Sequence, residues 1–567
     1  MAAWKRYLAA AAILLLVVVV ARAVYIARHR RLASSPGTVA AVTPSPVISA
    51  APNSGPTTLY VVSKEIALKW IKQDPGEVTS FRALQGLVNR DGSPSIFALT
   101  DQGAVHDQDW LRLLAKNYGA SVVTNADATN QIGDFGWYLT KFRSHLAGYL
   151  LFDAGAHSEG PSSNIALSLA GVLDAVPIDR HDQGLLAAAK VAGLSQLDDV
   201  GNRDYAWLKS SKYWAQLNRG AEYLNQPSGL QEGADYAVAE RMPVFWDDVR
   251  SDPQMQTMAS MLANQQPGGI VFGWGYTDST YREDVFVRVA SRYTQSIMDT
   301  PSNLSVYMHY PIQKSLPNTA MPALPTATGR HYVAFVYSDG DNPRVILDEL
   351  TQPGNDRYAS PLRGSIPIGW TLPPAIGTLA GPVVSAIYAE ATPDDQFLAG
   401  PSGFGYAFPS LMPDPGAFAT QTVRTMASLG LHDLVDLDND GGGFSLKVLD
   451  PITADPSIHS VYFTAFNGRG QPAPGSILWS NGKPVLPTYT VYRPPGEATK
   501  PIAASTAAYL NSLPVDDSSA AAYTVVYLDF WSVSMTDVSQ IVSRLGPKVT
   551  VVRPDVLDAL VQADVRH

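Results

Sequence analysis

Polar and apolar positions along this chain follow two periods. Short apolar runs such as Leu59-Tyr60-Val61-Val62, Ser95-Ile96-Phe97-Ala98-Leu99 and Tyr149-Leu150-Leu151-Phe152 read as buried strands. Between them lie stretches with helical spacing, of which Asp109-Trp110-Leu111-Arg112-Leu113-Leu114-Ala115 is the clearest. The same pattern predicts helices over 165–173, 255–263 and 284–298, and strands over 269–274 and 304–308. Alternating strands and helices imply parallel sheets with covering helices, so 58–310 reads as an α/β, Rossmann-like region. That is long for one sheet, and a split into two subdomains near residue 160 is expected. Residues 311–329 hold Pro311, Pro317, Pro322 and Pro325 among small residues and form a linker.

Beyond the linker, strands are predicted near 332–337, 367–371, 383–388, 459–466, 523–528 and 549–552. Helices are predicted near 418–429, 502–510 and 536–545. This order points to a (β/α) barrel-like C-terminal domain over 330–567. Such barrels carry their chemistry at the C-terminal ends of the strands.

The start of the chain has a different pattern. Lys5-Arg6 precede an uncharged apolar run from Leu8 to Ala21, which marks 1–31 as a signal peptide or a membrane anchor. Ala21-Arg22-Ala23 has the spacing of a cleavage site, whereas Arg28, Arg30 and Arg31 put more positive charge after the run than before it. Cleaved and anchored forms both stay open. Residues 32–57, rich in Ala, Ser, Pro and Thr, are a linker. An exported protein is expected (periplasmic, cell-surface or secreted), with a membrane partner where the signal is uncleaved.

Composition removes several classes. A hydrophobic fraction of 46% with 16% charged residues suits large buried cores. The net charge of −10 is spread along the chain and argues against a nucleic-acid partner. With no cysteine, disulfides and thiolate zinc sites are excluded. No His pair has zincin spacing, and no G-x-S-x-G elbow, P-loop or dinucleotide fingerprint occurs.

Candidate chemistry gathers at the ends of the apolar runs. Asp339 and Asp341 follow the run Tyr332 to Tyr337 in Ser338-Asp339-Gly340-Asp341-Asn342. On an extended chain both carboxylates share one face, with α-carbons roughly 6–7 Å apart. That pair suits a metal or a sugar, and equally an ordinary Asx turn. Gly403-Phe404-Gly405-Tyr406-Ala407-Phe408-Pro409 combines backbone that can approach a ligand with three rings. The rings, and Trp370, either face sugar C–H groups or pack into the core. Asp436, Asp438 and Asp440 match the first half of a calcium loop. Position twelve is Lys447, which excludes a full EF-hand and leaves a weaker Ca2+ site; no cofactor is required. Asp529 and Glu390 also follow apolar runs and read as caps or surface groups.

These stretches carry a resemblance. The glycine–aromatic segment resembles the motif that names the GxGYxYP family, described as glycoside hydrolases, with Phe408 replacing the second tyrosine. Residues 395–402, 338–342, 367–371, 85–90 and 272–275 are also similar to that family, from about residue 59 to 560. The resemblance implies an N-terminal α/β region followed by a barrel-like domain, and it transfers no catalytic residues. A role needing a phenol at Phe408 is lost here, whereas stacking survives.

A glycosidase acting on an extracellular or cell-envelope polysaccharide is therefore expected. Glycoside hydrolysis needs a carboxylic acid to protonate the leaving oxygen and a second carboxylate as nucleophile or base. Asp339 and Asp341 are the expected pair, with Asp395 next because it precedes the aromatic loop. Asn342 and Ser402 would bond sugar hydroxyls, Gly403 and Gly405 would bring backbone close, and Trp370, Tyr406 and Phe408 would form the platform. Two alternatives stand beside this reading. One is a non-catalytic glycan-binding or polysaccharide-assembly protein; the other is a divalent-metal-dependent glycan hydrolase or esterase with Asp339 and Asp341 as ligands.

Overall fold

The computed structural model describes residue 55 and residues 57–565, apart from 65–66, 68–74, 94, 101–105, 125–134, 156–159, 226–230, 248–254, 275–282, 314–319, 353, 439–444, 466–473, 495–496 and 498–500. The expected signal or anchor over 1–31 lies outside the described residues. Among those described, no helix is long and apolar enough to cross a membrane.

Three small parallel sheets precede the barrel. In the first, β1 (Thr58–Val62) lies between β2 (Ser95–Ala98) and β3 (Ser121–Val123). In the second, β4 (Gly148–Phe152) lies between β5 (Ala175–Asp179) and β6 (Gln196–Asp199). In the third, β7 (Ala221–Leu224) lies between β8 (Val244–Phe245) and β9 (Gly269–Phe272), and β10 (Gln295–Met298) adds a fourth strand beyond β9. Each sheet repeats one arrangement, with its first strand between its second and third. The split near 160 does not separate two sheets, because Gly160 precedes the helix Pro161–Leu173 that joins β4 to β5.

Three short apolar runs depart from the pattern. The helix expected over 284–298 ends at Ser291; Thr294 turns the chain at φ 56° and β10 follows. The strand expected over 304–308 is the helical turn Leu304–Tyr307, entered through Asn303 at φ 67°. The Asn303 amide bonds both backbone groups of Ala98, which fixes this turn against β2. The strand expected over 383–388 is a helix, Gly381–Ala389, started by Pro382. Runs this short and this buried have no readable period.

The barrel closes through β11 (His331–Tyr337), β12 (Ile368–Leu372), β13 (Asp395–Ala399), β14 (Asp433–Leu437), β15 (Ser460–Thr464), β17 (Lys483–Val491) and β18 (Tyr523–Leu528), which pairs back onto β11. These strands are all parallel, and β16 (Leu478–Ser480) is an antiparallel hairpin on β17. The last strand, β19 (Val549–Val551), pairs with His331–Val333, while β12 pairs with Phe335–Tyr337. An eighth strand therefore fits beside β11 at its N-terminal end alone.

Alternation along the strands fills the interior. Tyr332, Ala334, Val336, Leu398, Val435, Tyr462, Leu486, Val525 and Tyr527 form one cluster, while their neighbours Phe335, Tyr337, Trp370 and Phe397 join the core under the helices. The helix Pro554–Asp564 adds Val556, Leu557, Leu560 and Val561 to the interior cluster. Arg553, immediately before it, is bonded to the carbonyl of Pro393, just ahead of β13, so this helix plugs the N-terminal end.

Candidate active site at the C-terminal end of the barrel

The acidic turn leaves β11 where the strand pattern places it. Ser338 still belongs to the sheet, its N–H bonding the Leu528 carbonyl at 2.9 Å. Asp339 then takes φ 66°, and the chain turns. Gly340 is required by its surroundings: a Cβ there would lie 2.2 Å from the carbonyl carbon of Thr371. A Cβ on Gly400 would lie 2.3 Å from the backbone of Gly340. The acidic turn and the start of the glycine–aromatic loop are therefore in backbone contact.

Three carboxylates leave the strand ends at this pole. Asp339 accepts from the Trp531 indole N–H at 2.8 Å and from the Ser338 hydroxyl. Asp529, just beyond β18, accepts from Ser532 Oγ at 2.5 Å and is close enough to Asp339 to act on its charge. Burial pushes the Asp339 carboxyl up, the Asp529 charge adds to this, and the two hydrogen bonds pull back; the result is about 6. The buried phenol of Tyr527, at the end of the barrel interior, is raised by burial and then by Asp339, Asp341 and Asp529 together. The Tyr527 hydroxyl thus lies within electrostatic reach of all three acids.

The site continues toward the third sheet. Asn342 caps the helical turn Pro343–Val345 through Val345 N–H at 3.2 Å, and its side chain also reaches Asp299, just beyond β10. Arg344 lies 3.6 Å from Glu232, 3.9 Å from Asp299 and 3.5 Å from Asp348. Burial raises Asp299 to about 6 as well.

A raised carboxyl is not by itself a catalytic signature. Asp433 and Asp558, at the plugged end of the barrel, are also pushed up by burial. There Ser460 Oγ lies 2.9 Å from Asp433 and 2.6 Å from Asp558, with Gln396 and Tyr462 completing the network. Strand ends at that pole serve stability in barrels of this kind.

The remaining expected site residues fall elsewhere. Asp395 is the first residue of β13, at the pole opposite Asp339. It is fully buried and is held by Arg363 at 3.2 Å, the Trp370 indole N–H at 2.7 Å and the Thr392 N–H and hydroxyl, both at 2.8 Å. This is a structural ion pair, and the expected catalytic role does not fit it. Trp370 stacks on Tyr337 at 5.0 Å inside the core and offers no platform.

The glycine–aromatic loop offers no sugar platform either, contrary to expectation, because its rings are buried. Phe404, Tyr406 and Phe408 are 0%, 4% and 0% exposed. Tyr406 pairs with Ile297 of β10 through both backbone groups, at 2.8 and 2.9 Å, and its ring stacks on Trp274 at 6.0 Å. Gly405 allows that approach, since a Cβ there would lie 2.8 Å from the Ile297 carbonyl oxygen. Gly403, at φ 97°, packs against Thr422 and Phe418. The Phe408 N–H bonds Ser291 Oγ at 2.9 Å. The Ser402 hydroxyl lies 2.9 Å from the carbonyls of Ala407 and Leu437 and accepts from the Leu437 N–H at 2.9 Å, so it is not free for a sugar. The loop docks the barrel onto the third sheet.

The calcium half-loop is partly described. Asp438 accepts from Ser410 N–H at 2.8 Å and from Ser410 Oγ at 2.9 Å, Asp436 is buried and raised by burial, and Asp440 lies outside the described residues. Among the described residues no three His or acidic side chains gather as a metal shell.

The sequence pattern marks neither Tyr527, Trp531 nor the junction with Asp299, and reads Asp529 as a cap or surface group. A signal for Tyr527 and Asp529 exists: they are two apart at the end of a buried strand, as Asp339 and Asp341 are just beyond β11. Glu390, by contrast, merely follows the helix Gly381–Ala389.

Comparison with known proteins agrees with this architecture. The model described as "GxGYxYP putative glycoside hydrolase C-terminal domain" matches residues 329–562. Models for the family's first, second and third N-terminal domains match 58–136, 146–217 and 223–309, one for each small sheet. A crystal structure from Bacteroides thetaiotaomicron, described as a putative hydrolase, is similar with a TM-score of 0.75 and 24% identity, covering 91% of this chain and 97% of the other. No curated protein matches. With all four domain models in order along it, the chain belongs to the GxGYxYP family.

Proposed function

We propose that this protein hydrolyses glycosidic bonds in an extracellular or cell-envelope polysaccharide. The observation that carries the reading is Asp339. It sits at the C-terminal end of the barrel with a carboxyl pushed up to about 6 and a second acid, Asp529, close enough to act on it. A carboxyl raised this far keeps a protonated fraction near neutrality and can donate its proton to the leaving glycosidic oxygen. Asp529 supplies the second carboxylate, which either attacks the anomeric carbon or takes a proton from an attacking water. Asp341, whose charge also acts on the Tyr527 hydroxyl, adds negative charge that favours an oxocarbenium-like transition state. The apolar run from Leu8 to Ala21 supports export, which would place the protein beside such a polymer.

The test is reducing-end release from a panel of defined polysaccharides by the purified protein and by Asp339→Asn, Asp341→Asn and Asp529→Asn. Loss of turnover in Asp339→Asn and Asp529→Asn with glycan binding retained supports the proposal. Release by neither the protein nor its variants, despite binding, points to a non-catalytic glycan-binding protein.

A further inference from the structure

We infer that Tyr492 and Trp531 form a carbohydrate-binding rim, on which neighbouring rings of a neutral or amino-sugar chain stack beside Asp339. The inference rests on the glycosidase reading above and adds the class of polymer. Tyr492 and Trp531 are 53% and 60% exposed, and no other Phe, Tyr or Trp among the described residues is as open.

Both rings leave neighbouring strand ends. Val491 and Leu528 are partners in the β17–β18 pair; Tyr492 follows the first directly, and Trp531 follows the second after a short turn. Three links tie the two segments. Asp529 N–H bonds the Val491 carbonyl at 3.0 Å, Arg493 N–H bonds Ser532 Oγ at 2.9 Å, and the Arg493 guanidinium bonds the Ser532 carbonyl. The same guanidinium pairs with Asp537, at 3.0 and 2.5 Å, at the capping box of the helix Met535–Val542. The rim is therefore held by backbone and ion pair, and its rings are not needed to fill the core.

The indole is also oriented. Its N–H is fixed on Asp339 at 2.8 Å, and Phe530 meets it edge-on at 5.4 Å. An aromatic face is electron-rich and suits the C–H groups on the apolar side of a sugar ring. A sugar seated there lies next to the proposed acid. The charge around it limits the choice of sugar: Asp339, Asp341 and Asp529 oppose a uronate, sulfate or phosphate, the Arg493 guanidinium is committed to Asp537, and that of Arg357, over the Phe530 ring, is bonded to the Phe530 and Asp356 carbonyls. A neutral or amine-bearing polymer meets no such penalty.

Affinity electrophoresis of the full chain at high salt tests this with β-glucan, xylan and mannan as neutral probes, chitosan as an amine-bearing probe, and alginate and pectate as uronic probes. Retardation is expected with at least one neutral or amine-bearing polymer and with neither uronic one, equally for the unaltered protein and Asp339→Asn. Tyr492→Ala and Trp531→Ala should each weaken binding roughly tenfold, with Trp531→Phe close to the unaltered protein. Full retardation of the double alanine variant, no retardation by any probe, or retardation by the uronic polymers alone would overturn the inference. Binding lost in the rim variants while Asp339→Asn still turns over would leave the rim standing and remove Asp339 as the acid.

Discussion

Two ring-bearing loops leave the C-terminal ends of barrel strands, and their rings meet opposite surroundings. After β13, Phe404, Tyr406 and Phe408 are buried, paired to β10 and stacked on Trp274. After β17 and β18, Tyr492 and Trp531 stand in water, one of them bonded to Asp339. The first loop is the family signature, and here it joins domains. The second carries no named motif, yet it borders the acids. Recognisable sequence and reactive geometry are separate properties of this barrel.

Substitutions should pull the two loops apart. The largest effect is expected at the acid beside the exposed loop. Asp339→Asn should lower turnover by about 10²–10⁴-fold while leaving the fold intact. Its stability signature has a definite sign. The folded carboxyl is raised from 3.8 to about 6, so its contribution is fully present below the lower value and is lost as pH rises through about 6. The asparagine variant should therefore gain stability relative to the unaltered protein above pH 6, and lose that advantage near pH 4, in urea titrations at both values.

The docking loop should behave in the opposite way. Tyr406→Ala removes a buried ring at the junction of barrel and third sheet, and should cost about 3–5 kcal/mol of unfolding free energy. Turnover measured well below its melting point should be little changed. Ser402→Ala is the milder version. It leaves the Leu437 N–H without its hydroxyl partner and should cost about 1–3 kcal/mol, with KM unmoved. A raised KM in either variant, at full stability, would return the motif to the substrate site.

The fold was legible where runs were long or strongly alternating. β11, β15 and β18, and the helices expected near 502–510 and 536–545, appear where the pattern puts them, while the plugging helix Pro554–Asp564 was not expected. Three barrel strands were missed. β13 opens on Asp395-Gln396 and β14 on Asp433, with Asp436 inside it, so their polar residues break the apolar run. β17 contains Pro484 and Pro487, which argue against a central strand. The acidic pair at 339 and 341 was readable because alternation places it at a strand end. The burial of the signature rings was not, since it depends on β10, more than one hundred residues earlier in the chain. Trp531 was hidden for the converse reason: a lone tryptophan in a polar turn has no pattern to mark it.

The most direct test of the central claim is the pH dependence of kcat/KM for the unaltered protein, Trp531→Phe and Asp529→Asn, because this quantity reports the free enzyme's acid. Activity should fall as pH rises through about 6, where Asp339 loses its proton. Trp531→Phe removes a hydrogen bond that favours the charged form and should move this limb to higher pH. Asp529→Asn removes a repelling charge and should move it, in whatever activity remains, to lower pH. A limb that stays in place in both variants would contradict the assignment of Asp339 as the acid.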